Sequence, residues 1–150
     1  MGIESILSEP LIDDDLREKD KYTVIERLLE LILQTGKVRN KEICLNDLIE
    51  REKYLSTGLE NGLAVPHAKS SAVKELIVSF GLCREGLNFG TIDGNPAHFI
   101  FLVLSPQDTS GPHIKMLAQI TRNFKETDAG IKLLSAKSKK EILEIIQNFK

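Results

Sequence analysis

The stretch Gly58-Leu59-Glu60-Asn61-Gly62-Leu63-Ala64-Val65-Pro66-His67-Ala68 carries the strongest structural signal in this chain. Its glycines allow close backbone approach and positive φ, so its first half is typical of a loop. The apolar residues Leu63–Val65 then predict a short strand that Pro66 ends, because proline cannot continue a sheet ladder. His67 is therefore expected to project at a strand end, where an imidazole suits nucleophilic or acid–base chemistry near neutral pH.

The chain shows helical patterns before this stretch, strand patterns mainly after it, and helical patterns again towards its end. Asp20 and Asn40 are placed to cap two helices before it, and Ser138 with Glu141 forms a capping box for the last helix of the chain. The predicted helices cover about 20–36, 40–51, 114–124, 131–135 and 138–149. The predicted strands are Pro10–Leu16 at a sheet edge with Asp13, Asp14 and Asp15 facing water, Leu63–Val65, Leu76–Cys83, Leu87–Phe89 and a central, buried His98–Leu104.

This order of elements predicts an α/β fold, in which a single-domain sandwich over residues 1–150 has a central mixed β-sheet covered by helices. Apolar spacing predicts an inward face for four of the helices, which is Val24, Ile25, Leu28, Leu29 and Ile32 in the first and Ile142, Ile145, Ile146 and Phe149 in the last. The predicted inward residues are Ile43, Leu48 and Ile49 in the second helix, and Ile114, Leu117, Ala118, Thr121 and Phe124 in the third.

Composition argues against several classes of function. The 150 residues carry a net charge of -2, which favours neither nucleic acid nor an anionic membrane as a partner. Cys44 and Cys83 lack CxxC spacing and are interpreted as buried free thiols of a reducing compartment. The N-terminus lacks signal-peptide features, and no apolar run approaches the ~20 residues of a membrane span. We therefore expect a cytoplasmic protein with no direct membrane insertion.

The chain has three histidines, so each can be assessed separately. His98 begins a predicted buried strand, which favours a structural role. His113 follows Thr109-Ser110-Gly111-Pro112, a sequence typical of a helix cap with an early proline, so it is expected in the first helical turn. A helix N-terminus favours a neutral imidazole and a neighbouring anion. Position alone leaves a functional and a structural role for His113 equally open.

Arg51 and Lys53 end the second predicted helix just before the glycine-containing loop. As an isolated cluster they would be a solvated helix face, but Arg51 leads directly into the segment that presents His67. Paired Cys/His spacings for zinc, a phosphate-binding Gly-Lys-Ser/Thr sequence and a Gly-x-Ser-x-Gly elbow are all lacking. The sequence therefore predicts no metal site and no cofactor.

Several motifs together resemble a known family. They are Arg51-Glu52-Lys53, Ser56-Thr57-Gly58, Asn61 to Lys69, Glu85-Gly86, Asp93-Gly94-x-Pro96, His113-Ile114-x-x-Leu117-Ala118 and Ala136-x-Ser138-x-x-Glu141. This set, which spans most of the chain, is similar to the fructose/mannitol type of enzyme IIA, the cytoplasmic phosphocarrier of the bacterial sugar phosphotransferase system. The nitrogen-regulatory enzyme IIA proteins share the pattern. Glu60 departs from it, because family members usually have a glycine there.

The resemblance implies a phosphotransferase activity and assigns roles to three residues. It implies that His67 accepts a phosphoryl group from the phosphocarrier HPr and passes it to a IIB domain. It also implies that His113 and Arg51 stabilise this group, within an α/β sandwich.

Two functions remain open at this point. One is a transport phosphocarrier for a sugar permease, for which Pro66-His67-Ala68-Lys69 and the His98 strand favour the fructose type, and the other is a regulatory protein whose phosphorylation state controls other proteins. A module fused to a transcription regulator is disfavoured, because no DNA-binding segment is present.

Overall fold

The nearly continuous apolar run after Pro96 forms the centre of a five-stranded mixed sheet in the computed structural model, which describes residues 2–150. The strands are β1 (Ile12–Asp13), β2 (Leu63–Ala64), β3 (His67–Ser70), β4 (Ile77–Leu87) and β5 (Ala97–Pro106). β5 pairs antiparallel with β4 on one side and parallel with both β2 and β3 on the other, and β1 adds parallel to the far side of β4. This is the α/β sandwich that the sequence predicts.

Five α-helices cover the sheet. They are α1 (Lys21–Leu33), α2 (Lys41–Tyr54), α3 (Gly111–Glu126), α4 (Ala129–Ser135) and α5 (Lys139–Gln147). The predicted caps form, since the side chains of Asp20, Asn40 and Ser138 accept hydrogen bonds from backbone amides in the first turns of α1, α2 and α5. Gly36 has a φ of 74° just beyond the end of α1, a conformation that glycine adopts readily.

The two faces of the sheet carry different helices. Ser79 on β4 donates a hydrogen bond to the Leu28 carbonyl of α1, and Ser70 on β3 contacts Cys44 of α2. On the opposite face Phe99 and Phe101 of β5 pack against Phe124 and Phe149, which lie in α3 and just after α5. Because side chains alternate along a strand, His67 and Lys69 face the α3 side, opposite to Ser70.

The strand predictions need three corrections. The predicted edge strand Pro10–Leu16 is only Ile12–Asp13, because Glu9–Leu11 forms a 3-10 turn. The segment His67–Ser70, predicted only as the end of a strand, is itself strand β3.

A separate strand Leu87–Phe89 is wrong, because β4 continues through Glu85-Gly86 to Leu87. A shift of register between Leu82 and Leu87, with Gly86 at a φ of 81°, accommodates the apparent turn signal within the strand.

The inward faces of α2 and α3 also differ from prediction. Ile43 is 41% exposed, and the buried residues of α2 are Cys44, Leu48 and Glu52. Ile114 is 63% exposed, and the buried face of α3 is rotated relative to the predicted one. That face consists of His113, Met116, Gln119, Ile120, Asn123 and Phe124.

Partners at the two ends of the chain explain why polar residues lie on the buried face of α3. Gln119 accepts a hydrogen bond from the Ile3 amide at 2.8 Å, and Asn123 accepts one from the Lys150 amide at 3.2 Å. Buried amides that are satisfied in this way are tolerated in a core, so apolar spacing alone pointed to the wrong side of the helix.

Candidate functional site

His67 is the first residue of β3, directly after Pro66, and is half-buried. Its Nδ1 lies 2.7 Å from the Val65 carbonyl oxygen. A carbonyl can only accept, so Nδ1 carries the proton and donates it, which leaves a lone pair on Nε2 in the neutral ring. Nε2 makes no hydrogen bond to any residue in the described range 2–150, so it is available for attack on an electrophile.

His113 lies in the first turn of α3, as the sequence predicts, and its ring meets that of His67. The ring centroids are 5.2 Å apart in an edge-to-face arrangement. The Nδ1 atom of His113 lies 2.6 Å from the Ser105 hydroxyl of β5. Within residues 2–150 no fully buried side-chain nitrogen or oxygen lacks a partner, so the Nε2 atoms of both histidines must reach solvent.

The surroundings favour the neutral form of both rings. Burial is the main cause that lowers the pKa of His67, and the charge of Arg51 acts in the same direction, against the Val65 carbonyl and Glu52. Burial, with added repulsion from His67 and Lys69, lowers the pKa of His113 to about 4. Both rings are therefore neutral at neutral pH, which is the state a nucleophilic imidazole needs.

The low pKa of His113 predicts acid sensitivity of the fold. In the unfolded chain His113 binds its proton near its ordinary pKa of 6.5, but in the folded chain only near 4, so stability is lost as pH falls between these values. From about pH 7 to about pH 5 we expect the free energy of unfolding to fall by about 2 kcal/mol more in the parent than in His113→Gln. Urea unfolding of both proteins at the two pH values measures this difference.

An NMR pH titration of the parent protein provides the control, because it reads the His113 ring directly and needs no folded variant. A His113 signal that titrates near its ordinary pKa, or equal losses of stability in the two proteins, would contradict the prediction.

Arg51 lies in the last turn of α2 and is partly exposed. Its Nη1 atom donates a hydrogen bond to the Leu55 carbonyl at 2.6 Å, which holds the guanidinium at the end of the helix. Its charge is close enough to His67 to lower the pKa of that ring. The structure therefore places His113 against His67 and Arg51 near enough for its charge to act on that ring, which is the grouping that the family resemblance implies.

His98 belongs to a different part of the sheet. Its Nδ1 donates a hydrogen bond to the Cys83 carbonyl on the neighbouring strand β4 at 2.9 Å. His67 lies opposite Val103, five residues further along β5, so about 16 Å of strand separates the two positions. This agrees with the structural role that the sequence favours for His98.

Two residues at the site had no predicted role. Lys69 lies two residues after His67 on the same strand face, and its charge contributes to the low pKa of His113. Glu52 is 2% exposed, although its neighbours in Arg51-Glu52-Lys53 resemble a solvated helix face. Its partners are Thr57, five residues away, and Lys21, 31 residues away, and the charge pattern around Glu52 alone does not indicate the second of these.

The described residues 2–150 lack both a cluster of metal-binding side chains and a helix that could cross a membrane. This range contains no group of three or more His, Cys, Asp or Glu side chains placed to hold a metal ion. None of its helices combines the length and the apolar character that crossing a membrane requires.

Known proteins resemble this chain over nearly its whole length. Residues 5–149 match the family described as "Phosphoenolpyruvate-dependent sugar phosphotransferase system, EIIA 2". The fructose-specific EIIA component of Haloferax volcanii is 33% identical over 144 residues, which are 96% of this chain and 94% of that protein. The fructose-specific EIIABC component of Bacillus subtilis is 27% identical over 97% of this chain, which spans only 23% of that longer protein.

A solved protein structure also superposes on nearly the whole of this chain. The crystal structure of nitrogen regulatory protein IIA-Ntr from Neisseria meningitidis superposes with a TM-score of 0.88 at 29% sequence identity. The superposition covers 96% of this chain and 98% of that one.

Proposed function

The chain belongs to the type 2 EIIA family of the phosphoenolpyruvate-dependent sugar phosphotransferase system, and from this we propose that His67 is its phosphoryl acceptor. The observation that carries the proposal is the hydrogen bond from Nδ1 to the Val65 carbonyl, since it directs the lone pair to an open Nε2. In this proposal residues 1–150 form one cytoplasmic phosphocarrier domain. It accepts a phosphoryl group from phosphorylated HPr and passes it to a IIB component.

The proposed reaction exchanges one phosphorus–nitrogen bond for another. The lone pair on Nε2 of His67 attacks the phosphorus of phosphorylated HPr, and the bond to the HPr imidazole breaks with its electron pair returning to that ring. Such a transfer depends mainly on positioning and on stabilising charge on the phosphoryl oxygens. The group arrives already activated on nitrogen, so the proposal includes no metal or nucleotide.

Arg51 and His113 are the proposed stabilising groups. A guanidinium offers two parallel donors to phosphoryl oxygens. His113 offers a single donor at Nε2 if its proton is there, which requires the Ser105 hydroxyl to donate to Nδ1. The 2.6 Å contact between the Ser105 hydroxyl and Nδ1 of His113 is compatible with this arrangement, because a hydroxyl can donate or accept.

The proposed destination of the phosphoryl group is a IIB domain of a sugar permease with fructose as its expected sugar, and a regulatory target is the second candidate. The Haloferax volcanii relative, named as fructose-specific, supports the first. The Neisseria meningitidis structure, named as a nitrogen regulatory protein, supports the second.

Labelled phosphate tests both steps. The protein is first incubated with enzyme I, HPr and phosphoenolpyruvate, and then with a purified fructose-type IIB domain. We expect label on this protein and then on the IIB domain. Label that is accepted but retained would favour regulation, and no label at all would contradict a phosphocarrier role.

Glu60 replaces the glycine usual in the family, and its sequence position predicts that it lies on the rim of the His67 site. Its loop instead lies beside His98, since the Gly62 carbonyl accepts from the His98 amide whereas His67 lies opposite Val103. Glu60 is predicted to attract basic side chains of HPr during the encounter. It is exposed in the loop before β2, and the positive φ falls on Asn61 and Gly62, so Glu60 itself is not strained. If the Glu60 carboxylate comes ~4 Å from a basic side chain of HPr at a solvated surface, the attraction is about 1 kcal/mol, and salt screens it further. We expect Glu60→Gly to weaken HPr binding a few-fold at about 10 mM salt and little at about 150 mM. Calorimetry at both salt concentrations measures this, and unchanged or tighter binding at low salt would contradict the idea.

A further inference from the structure

Glu52 is a buried carboxylate with three partners. Lys21 of α1 lies 3.1 Å from its Oε2, and the Thr57 amide donates to the same oxygen at 3.0 Å. The Thr57 hydroxyl donates to Oε1 at 2.5 Å. A carboxylate that is removed from water needs such partners, because an unpaired buried charge is strongly unfavourable. Glu52 therefore ties the loop after α2 to the ends of two helices.

From this loop a short chain of hydrogen bonds leads to His67. The Val65 amide donates to the Thr57 carbonyl at 3.1 Å, so Thr57 fixes the backbone of Val65. The Val65 carbonyl in turn accepts from Nδ1 of His67 at 2.7 Å. The position of the acceptor that sets the His67 tautomer thus depends on Thr57, and the position of Thr57 depends on Glu52.

Contacts with residues 89–91 hold the other side of the loop after α2. The Ser56 hydroxyl donates to the Phe89 carbonyl at 2.5 Å, and Lys21 lies 5.5 Å from the centre of the Phe89 ring. Gly58 approaches Thr91 so closely that a Cβ atom would lie 2.9 Å from the Thr91 Cα. The contacts with residues 89–91 restrict one side of the loop, and the contact between Thr57 and Glu52 restricts the other. Loss of the contact with Glu52 is therefore the change that would let the loop move.

We propose that Glu52, with Lys21, is a positioning residue that holds the Val65 carbonyl where it keeps the His67 proton on Nδ1. Its role in phosphotransfer rests on the proposed function of His67, but its effect on the tautomer does not. Because small displacements of a reacting group cost large factors in rate, we expect Glu52→Gln to slow phosphorylation about 10-fold to 100-fold. We also expect part of the neutral His67 population to move its proton to Nε2.

Glu50 provides a matched control, since it is exposed on the same helix. Glu50→Gln makes the same chemical change and should leave both readouts unchanged. The tautomer is read from the imidazole nitrogen shifts of the unphosphorylated protein, and the rate from uptake of label from phosphorylated HPr. Both are measured well below the unfolding temperature of each variant, so that lost stability alone does not lower the rate.

Thr57 gives a second, milder test that does not depend on the folding of Glu52→Gln. Thr57→Ser keeps the hydroxyl and should behave as the parent, whereas Thr57→Val loses it and should shift the tautomer and slow transfer in the same direction as Glu52→Gln. Lys21→Met should likewise shift the His67 tautomer and slow phosphoryl transfer. Because Lys21 and Glu52 act together, the double variant Lys21→Met with Glu52→Gln should transfer no more slowly than the slower of the two single variants.

The outcomes separate this proposal from the proposed function. A parental tautomer and rate in Glu52→Gln, or in Thr57→Val if the former does not fold, would overturn the positioning role. If the parent protein accepts no phosphoryl group, the phosphocarrier role fails, while the tautomer measurement still decides for or against Glu52.

Discussion

We expect a His67→Ala variant to take up no phosphoryl group from enzyme I, HPr and phosphoenolpyruvate, whereas the parent chain should gain one acid-labile group. We expect complete loss because the nucleophile itself is removed, and His113, the nearest other imidazole, is buried, being 5% exposed. Its pKa of about 4 also indicates a weakly basic ring. Intact-protein mass spectrometry at neutral pH detects the added group.

His98→Gln is the matched control for this experiment. It removes another half-buried imidazole whose Nδ1 also donates to a carbonyl, but one that lies far along β5 from the site. It should be phosphorylated like the parent. A phosphorylated His67→Ala protein would show that the acceptor is a different residue.

Replacing Arg51 by Ala should slow phosphoryl transfer by about 10²–10³ without changing which residue is phosphorylated. Loss of one preorganised, charge-stabilising donor typically has an effect of this size. Arg51→Lys keeps the charge but not the two parallel donors, so an intermediate rate is expected. Rapid-quench measurement of label transfer from HPr gives these rates.

The control for Arg51 is Arg17→Ala, since the Arg17 side chain is 82% exposed and pairs only with the surface carboxylate of Asp15 among the described residues. His113→Ala should lose a factor similar to that of Arg51→Ala, because it removes the second proposed donor. Parental rates in both Arg51→Ala and His113→Ala would contradict the proposed stabilisation of the phosphoryl group.

Local sequence signals predicted the parts of the structure that depend on neighbouring residues. The caps at Asp20, Asn40 and Ser138 formed because an N-cap involves only the next three residues. The run His98–Leu104 predicted the central strand because a strand covered on both faces requires apolar side chains throughout. The positions of His67 at a strand end and of His113 in a first helical turn also followed from local signals, whereas their grouping was implied only by the family resemblance.

The predictions of which side chains are buried failed where a hydrogen-bond partner lies far away in the sequence. Gln119 and Asn123 lie inside because backbone amides from the two ends of the chain reach them, and the exposure of Ile114 follows from that rotation of α3. Glu52 is buried because Lys21 and Thr57 neutralise and satisfy it. Thr57 is only five residues from Glu52, but Ile3, Lys150 and Lys21 lie outside any local window, so periodicity and charge patterning could not reveal these partners.

The two hydrogen bonds that join the chain ends to α3 have a consequence for synthesis on the ribosome. Residues 3 and 119 are separated by 116 positions, and Asn123 binds the amide of residue 150, so the buried face of this helix is completed only by the last residue of the sequence given. Closing so long a segment is entropically costly and comes after local contacts. The sheet, α1 and α2 can therefore assemble while the chain is still being made. The helix α3, which carries His113, reaches its final state only after residue 150 has left the exit tunnel.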